Sequence, residues 1–277
     1  MIRLLNLNLR FGLAGDREER SWSRRKTALP HLFAQANPDF LCFQEVNDFQ
    51  AADLAGLLPG YSVIGRREPA PKFWQHNLIF HRNEWRCRAK DRFFLSPTPD
   101  VPSRFRDSRW PRQCTMGRFV RGETEVICAT THFDFLAGVQ RRSAEILLKR
   151  LTRFGGEAVS NGSTVPSNGP AAHGEPPAAI LAGDFNATPD SPAHHYLTRE
   201  GGFRHAFSPP FPATYHGFSG NTAGEHIDWT LYRGPLRVAE ARAVQETEPR
   251  PAGDPPVYPS DHFPLWVVFA PARSFIS

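Results

Sequence analysis

Short apolar runs closed by an acidic, amide or imidazole side chain recur along the chain, and this constrains its fold more than any other feature. Residues 179–186, Ala-Ile-Leu-Ala-Gly-Asp-Phe-Asn, are the clearest case. Bounded by Pro176-Pro177 and Gly183, the run reads as a buried strand with Asp184 and Asn186 immediately beyond its end. Strand periodicity is two, so both side chains would point the same way and address one ligand together. A carboxylate can take a proton from water, and a carboxamide can donate to a phosphate oxygen. The same residues also fit a strand followed by an Asx turn, so the rest of the chain has to decide.

Residues 2–9 read as a first strand with Asn8 at its exit, and 39–43 as a buried strand ending in Gln44-Glu45. Between them, Trp22, Leu29, Leu32 and Phe33 recur at helical spacing over residues 22–36, interrupted by Pro30. A short helix over 49–58 stops at Pro59-Gly60, and 61–65 resume as a strand. Residues 77–81 and 85–95 are expected to form a hairpin around Arg82-Asn83-Glu84. A second hairpin, 114–121 with 125–131, ends in Thr131-His132-Phe133-Asp134. Val139, Ile146, Leu147, Leu151 and Phe154 give the following helix one apolar face. Residues 155–177, rich in Gly, Ser, Asn and Pro, read as a flexible insertion within a single domain. Thr188 to Pro192 cap a short helix, and strands are expected over 213–218, 226–232, 236–244 and 263–269. Asp228 falls inside an apolar strand, where a lone carboxylate is costly and demands a partner.

With 277 residues and 40% hydrophobic content, the chain can bury a sizeable core as one domain. No run of eighteen apolar residues is present, and the opening residues read as a strand rather than a leader, so a soluble, cytoplasmic protein without a transmembrane segment is expected. Cys42, Cys87, Cys114 and Cys128 are widely spaced and lie mostly in apolar runs, which favours buried thiols over disulfides or zinc. The formal charge of +5 comes almost wholly from arginine, whose fork matches phosphate oxygens. Arginines crowd residues 86–112, where Phe105 and Trp110 could stack on bases. A solvated basic face is the alternative.

Asn8, Glu45, His132, Asp184, Asn186, Asp228, Asp261 and His262 all fall at or near strand ends, which suggests one common rim. No nucleophile triad, Walker loop or Gly-x-Gly-x-x-Gly turn is apparent. Oxygen-rich ligands without cysteine favour a magnesium-like ion and metal-assisted attack of water on phosphorus. In order along residues 2–269, Asn8 in Leu-Asn-Leu-Arg, Gln44-Glu45, Thr131-His132-Phe133-Asp134, Gly183-Asp184-Phe185-Asn186, His226-Ile227-Asp228-Trp229 and Ser260-Asp261-His262 resemble the signatures of the endonuclease/exonuclease/phosphatase superfamily.

That resemblance implies an α/β fold: a four-layer α-β-β-α sandwich of two mixed β-sheets packed face to face, with outer helices. It also implies roles. Glu45 would be the main metal carboxylate, with Asn8 and Asp261 beside it, holding Mg2+ or, in its place, Mn2+. Asp184 would orient or deprotonate water, and Asn186 would hold water and a phosphoryl oxygen. His262, paired with Asp228, would contact the scissile phosphate from one side and His132 from the other. Arg112 would be a phosphate contact, Asn77 a helper of His132, and Arg141 a structural partner of Asp134. Phe135 stands where many such proteins carry a second histidine. The expected substrate is a phosphodiester, with nucleic acid favoured and no stable protein partner implied. The alternatives are a small phosphorylated metabolite or lipid head group, and a catalytically silent binding module.

Overall fold

The computed structural model describes residues 1–156, 158–160, 163–165, 177–245 and 256–272. In chain order its elements are β1 (Ile2–Asn8), α1 (Trp22–Arg25), α2 (Leu29–Ala36), β2 (Phe40–Val46), α3 (Asp48–Leu57), β3 (Tyr61–Ile64), β4 (His76–Arg82), β5 (Arg86–Phe94), β6 (Gln113–Arg121) and β7 (Thr124–His132). After these come α4 (Ala137–Gly156), a small ribbon of β8 (Ala158–Ser160) and β9 (Ser163–Val165), then β10 (Ala179–Asp184), α5 (Pro192–Arg199), β11 (Arg204–His205), β12 (Asp228–Arg233), β13 (Leu236–Ala243) and β14 (Leu265–Pro271). Most of the 155–177 insertion lies outside the described residues.

One sheet runs β13-β14-β1-β2-β4-β3 and the other β11-β12-β10-β7-β6-β5. Both are mixed, because β1 is parallel to β2 and β10 to β7, while the remaining neighbours are antiparallel. β2 and β10 are buried on both faces, which is why they open as continuous apolar runs rather than alternating ones, whereas β1 interleaves Arg3, Asn6 and Asn8 with its leucines. Apolar side chains fill three layers: between α1–α3 and the first sheet, between the two sheets, and between the second sheet and α4–α5. The sandwich is thus α-β-β-α, as expected. Phe40 of the first sheet packs against Phe119 of the second at 5.0 Å and against Trp85 at 5.1 Å. Each such buried ring contributes about 1.5–3 kcal/mol.

A polar key crosses the apolar middle layer near the site. Gln44 Nε2 donates to Asn6 Oδ1 at 2.9 Å within its own sheet and to Thr130 Oγ1 of β7 at 2.8 Å in the other, and Asn6 Nδ2 donates to the Gly183 carbonyl at 3.3 Å. Buried bonds of this kind fix the register of one sheet on the other, while Gln44 Oε1 itself has no partner among the described residues.

Several local expectations are corrected. Residues 77–95 form no hairpin: β4 belongs to the first sheet and β5 to the second. The turn carries the chain across because Trp85 inserts fully into the middle layer and donates its indole N–H to Asp39 Oδ1 at 3.0 Å. Residues 22–36 are not one helix, since Pro30 stands in the first turn of α2, where its missing N–H costs nothing. Residues 213–218 form no strand beyond a single bridge between Tyr215 and His262, and β11 was not foreseen. Cys42, Cys114 and Cys128 are buried and Cys87 half-buried, all as free thiols.

Candidate active site

The exits of the two parallel strand pairs create the site. In the second sheet Asp184 is in register with His132 on one side and Asp228 on the other, so three side chains stand in a row across β7, β10 and β12. In the first sheet Asn8 is in register with Gln44, and Glu45 follows in a bulge where pairing shifts between Phe43 and Val46. Glu45 takes a left-handed φ of 62°, and Asn186 one of 49°. For residues other than glycine this costs about 1–3 kcal/mol, and such conformations cluster where a side chain must be aimed. Gly183 is required for another reason: a Cβ there would lie 2.1 Å from the Thr131 carbonyl oxygen, so only glycine lets β10 approach β7 this closely.

Asp184 is the centre. Its Oδ2 accepts from Asn8 Nδ2 at 2.9 Å and lies 3.5 Å from His132 Nε2 and 3.9 Å from His262 Nε2. Its Oδ1 accepts from the Asn186 N–H at 2.9 Å. The same Asn8 nitrogen reaches Glu45 Oε1 at 3.3 Å, so one amide bridges the two carboxylates. Glu45 Oε2 accepts the Phe11 N–H at 2.7 Å, and Glu45 Oε1 is 4.0 Å from His132 Nδ1. Asn8 Oδ1 is occupied by the Arg10 N–H at 2.9 Å. Buried Asp228 finds the partner its position demanded: its Oδ2 is 2.8 Å from His262 Nδ1. Thr214 Oγ1 accepts the Ile227 and Asp228 N–H groups at 2.9 and 3.1 Å, which fixes the start of β12.

Burial and neighbouring charges divide the titrating groups. Burial, reinforced by the Asp228 charge, pushes the Asp184 carboxyl up to about 7 against the opposing pull of His262 and Asn8. Burial alone would lower His262, but Asp228, Asp184 and Asp261 outweigh it and push the imidazole up to about 10. Burial, with Arg112 and His262 nearby, drives His132 well below its ordinary value. The site therefore sets a neutral imidazole and an imidazolium on either side of one carboxyl.

Asp261, on the loop before β14, pairs with Arg10 Nη1 at 3.4 Å. Its neighbour Ser260 donates to the Asn8 carbonyl at 2.5 Å, tying this loop to the end of β1. Arg25 is fully buried and donates to the carbonyls of Leu9, Pro259, Arg20 and Arg10 at 2.7–3.2 Å. Arg10 and Arg25 escaped the sequence reading; among 33 basic residues nothing in their local pattern distinguishes them. Gln140, also missed, donates to the Asp134 and Asn186 carbonyls, both at 2.8 Å, and joins α4 to two site loops.

Asn186 Nδ2 donates to the Phe133 carbonyl at 3.0 Å beside Asp184. Arg112 is buried, close enough to Asp184, Glu45 and Asp134 to feel their charges, and its Nε has no partner among the described residues. Asn77 is set further back: its Nδ2 donates to the Gln113 carbonyl at 2.7 Å, and no hydrogen bond joins it to His132 among the described residues. Arg141 is not paired with Asp134. It pairs with Glu145 one turn along α4 and stacks 3.7 Å above Tyr196, while Asp134 accepts from Ser108 Oγ at 2.5 Å. Phe105 is buried beneath Arg142 and unavailable for stacking, whereas Trp110 remains half exposed.

The donor set fits a divalent cation. It consists of carboxylates and a carboxamide without thiolate, which suits a magnesium-like ion. The raised carboxyl of Asp184 marks a buried site rich in negative groups. Ligand atoms of Asp184, Asp228 and His262 come within 4.8 Å of one another. However, His262 is engaged by Asp228 through Nδ1 and held as imidazolium, which has no lone pair to offer. Glu45, with Asn8 and Asp261, is the alternative set on the first-sheet side.

The model of the Endonuclease/Exonuclease/phosphatase family matches residues 5–262. Among solved structures, the chain is similar to a mannosyl-6-phosphatase of Bacteroides thetaiotaomicron, with 24% identity, a TM-score of 0.82, and 98% of this chain and 100% of that one covered. It is also similar to a humanized D. rerio TDP2 (14% identity, TM-score 0.70, 97% and 98% covered) and to the human Nocturnin catalytic domain with bound sulfate (18%, 0.66, 97% and 94%). At these identities the likeness shows a shared fold. No curated protein matches the chain in sequence.

Proposed function

The chain belongs to the endonuclease/exonuclease/phosphatase family and is a metal-dependent hydrolase of phosphoric esters, and from that premise we propose that it uses Mg2+ to cleave a phosphodiester in nucleic acid by direct attack of water. One observation carries the chemistry: Asp184 Oδ2 lies within 4 Å of Asn8, His132 and His262 at once.

A carboxyl poised near neutrality is suited to take the proton of an attacking water, and that is the role proposed for Asp184. The imidazolium of His262, oriented by Asp228, donates Nε2–H toward a phosphoryl oxygen as negative charge grows there. Asn186 and neutral His132 position the phosphate around the same carboxyl, and Arg112 offsets its charge. Glu45, Asn8 and Asp261 would hold the cation. When bound, the ion supplies a Lewis acid and a fixed positive charge for the phosphoryl group.

The nucleic-acid choice rests on the arginines of residues 104–112 beside the site. A phosphomonoester of a small metabolite is the second reading, favoured by the mutual coverage with the mannosyl-6-phosphatase. A panel of single-stranded, duplex and abasic oligonucleotides, run beside sugar phosphates and phosphocholine esters with Mg2+, separates them. Metal-dependent oligonucleotide cleavage that Asp184→Asn lowers by roughly 10²–10⁴-fold is expected. Phosphate release from sugar phosphates alone would transfer the assignment to the second reading. Mg2+ or Mn2+ should also raise the melting temperature of the native chain and much less that of Glu45→Gln.

A further inference from the structure

Beside the site lies a cleft of about 420 Å³ whose walls include Glu45, Phe73, Trp74, Trp110, Arg112 and Phe135. Its volume is in the range of small-molecule sites. Because Glu45 and Arg112 belong to both the cleft and the candidate active site, a ligand group seated here would be attached close to the phosphate under attack. The cleft draws its walls from five separate stretches: the loop after β1, the end of β2, the segment before β4, the segment before β6, and the loop after β7.

Three of these rings are among the most exposed large apolar side chains described: Phe73 is 68% exposed, Phe135 67% and Trp110 53%. Exposed aromatics gathered at one mouth mark a contact surface, since isolated ones would scatter. Each ring also has a cation over it. Lys72 stands 5.6 Å from Phe73, Arg67 4.4 Å from Trp74, Arg109 5.1 Å from Trp110 and Arg112 5.5 Å from Phe135. Arg67, Lys72 and Arg109 have no ion pair among the described residues and leave net positive charge at the rim, whereas buried Arg112 faces the charges of Asp184, Glu45 and Asp134. Two buried donors on cleft-lining side chains, Trp74 Nε1 and Arg112 Nε, also have no partner among the described residues. Flat apolar faces, uncompensated positive charge and free donors together match a planar, acceptor-bearing ring carried on a chain of phosphates.

Building on the nucleic-acid reading, we propose that this cleft is a base subsite: it stacks an unpaired nucleobase adjoining the scissile phosphate, so that the enzyme selects single-stranded or unstacked nucleotides. Trp110 and Phe135 supply the stacking faces, Trp74 Nε1 offers a hydrogen bond to a base acceptor, and Arg67, Lys72 and Arg109 face the flanking phosphates. A paired base inside a duplex cannot reach the cleft without being flipped out, which gives the preference for single strands.

The experiment pairs a single-stranded trinucleotide with the same trinucleotide lacking one base, replaced by a tetrahydrofuran residue, each placed on either side of the cleaved bond. The expected result is a preference in kcat/KM of roughly tenfold or more for the base-bearing strand, collapsing to below about threefold in Trp110→Ala and Phe135→Ala. Equal turnover of both strands by the native protein overturns the proposal. If neither strand is cleaved with Mg2+ or Mn2+, the nuclease reading fails on its own, and binding decides the subsite. Four of the six tryptophans, Trp22, Trp85, Trp229 and Trp266, are buried, so quenching by added ligand reports mainly on Trp74 and Trp110. Saturable quenching by deoxyadenosine 5′-monophosphate but not by deoxyribose 5-phosphate supports a base subsite, and no difference between the two overturns it.

Discussion

His262 Nδ1 lies 2.8 Å from Asp228 Oδ2, and the two side chains come from different sheets: Asp228 opens β12 in the second, while His262 precedes β14 in the first. The contact closes the sandwich at its mouth and leaves Nε2 of the same ring facing Asp184 at 3.9 Å. Packing of the two sheets therefore sets the direction of the imidazole as well as its charge.

Asp228→Asn keeps the shape of the pair but removes the charge that holds His262 protonated and oriented. Turnover should fall by about 10²-fold or more, with KM changing much less, because the lost interaction strengthens only as charge develops in the transition state. Steady-state kinetics on a cleaved phosphodiester, with the melting temperature measured alongside, checks this. A drop in KM-related affinity alone would contradict it.

Gly183→Ala should be severe although only one methyl group is added. The new Cβ meets the Thr131 carbonyl oxygen at 2.1 Å, a backbone atom that cannot move without parting β7 from β10. Loss of at least about 3 kcal/mol in urea unfolding is expected, together with loss of activity, since Asp184 is the next residue.

Arg25 makes four hydrogen bonds to main-chain carbonyls, those of Leu9 and Arg10 just after β1, of Arg20 just before α1, and of Pro259 next to Ser260. Arg25→Met leaves these carbonyls unpaired in a buried place and should cost about 3–5 kcal/mol. Arg25→Lys should recover only part of this, because one ammonium cannot span the same fork. Thermal unfolding gives the ranking: native above Lys above Met.

Acid should destabilise the protein through a histidine cluster at the start of β12. The His205 ring lies tilted between His194 at 5.3 Å and His226 at 5.2 Å, with Phe211 beside His205 and Phe207 beside His226. Burial lowers all three, His194 to about 4 and His205 to about 3. Unfolded imidazoles, with pKa near 6.5, take up protons first, so the stability held by neutral rings is intact above about pH 6.5 and lost as pH falls toward 4 and 3. His205→Phe should lose less melting temperature between pH 7 and 5 than the native chain; equal losses would count against the cluster.

How far the chain could be read beforehand follows from what local pattern can encode. Alternation, apolar runs and turn residues located nearly every inner strand and the polar residue at its exit, so Asn8, Glu45, His132, Asp184 and His262 were visible as strand-end groups. Pairing partners were not visible. The turn at Arg82-Asn83-Glu84 has the composition of a hairpin, yet the burial of Trp85 sends β5 to the opposite sheet. The family resemblance implies Arg141 as a partner of Asp134, but the helix carries it to Glu145 and Tyr196 instead.

By itself, then, the sequence determined the inner strands, the apolar faces and the chemical types brought to the rim, because these follow from the periodicity of side chains along a strand or helix. Only the tertiary structure decided which carboxyl is raised, which imidazole is charged, and which cations remain uncompensated. Those properties depend on burial and on charges contributed by residues far apart in the chain, such as Asp228 for His262 and Arg112 for His132, and no local pattern carries them.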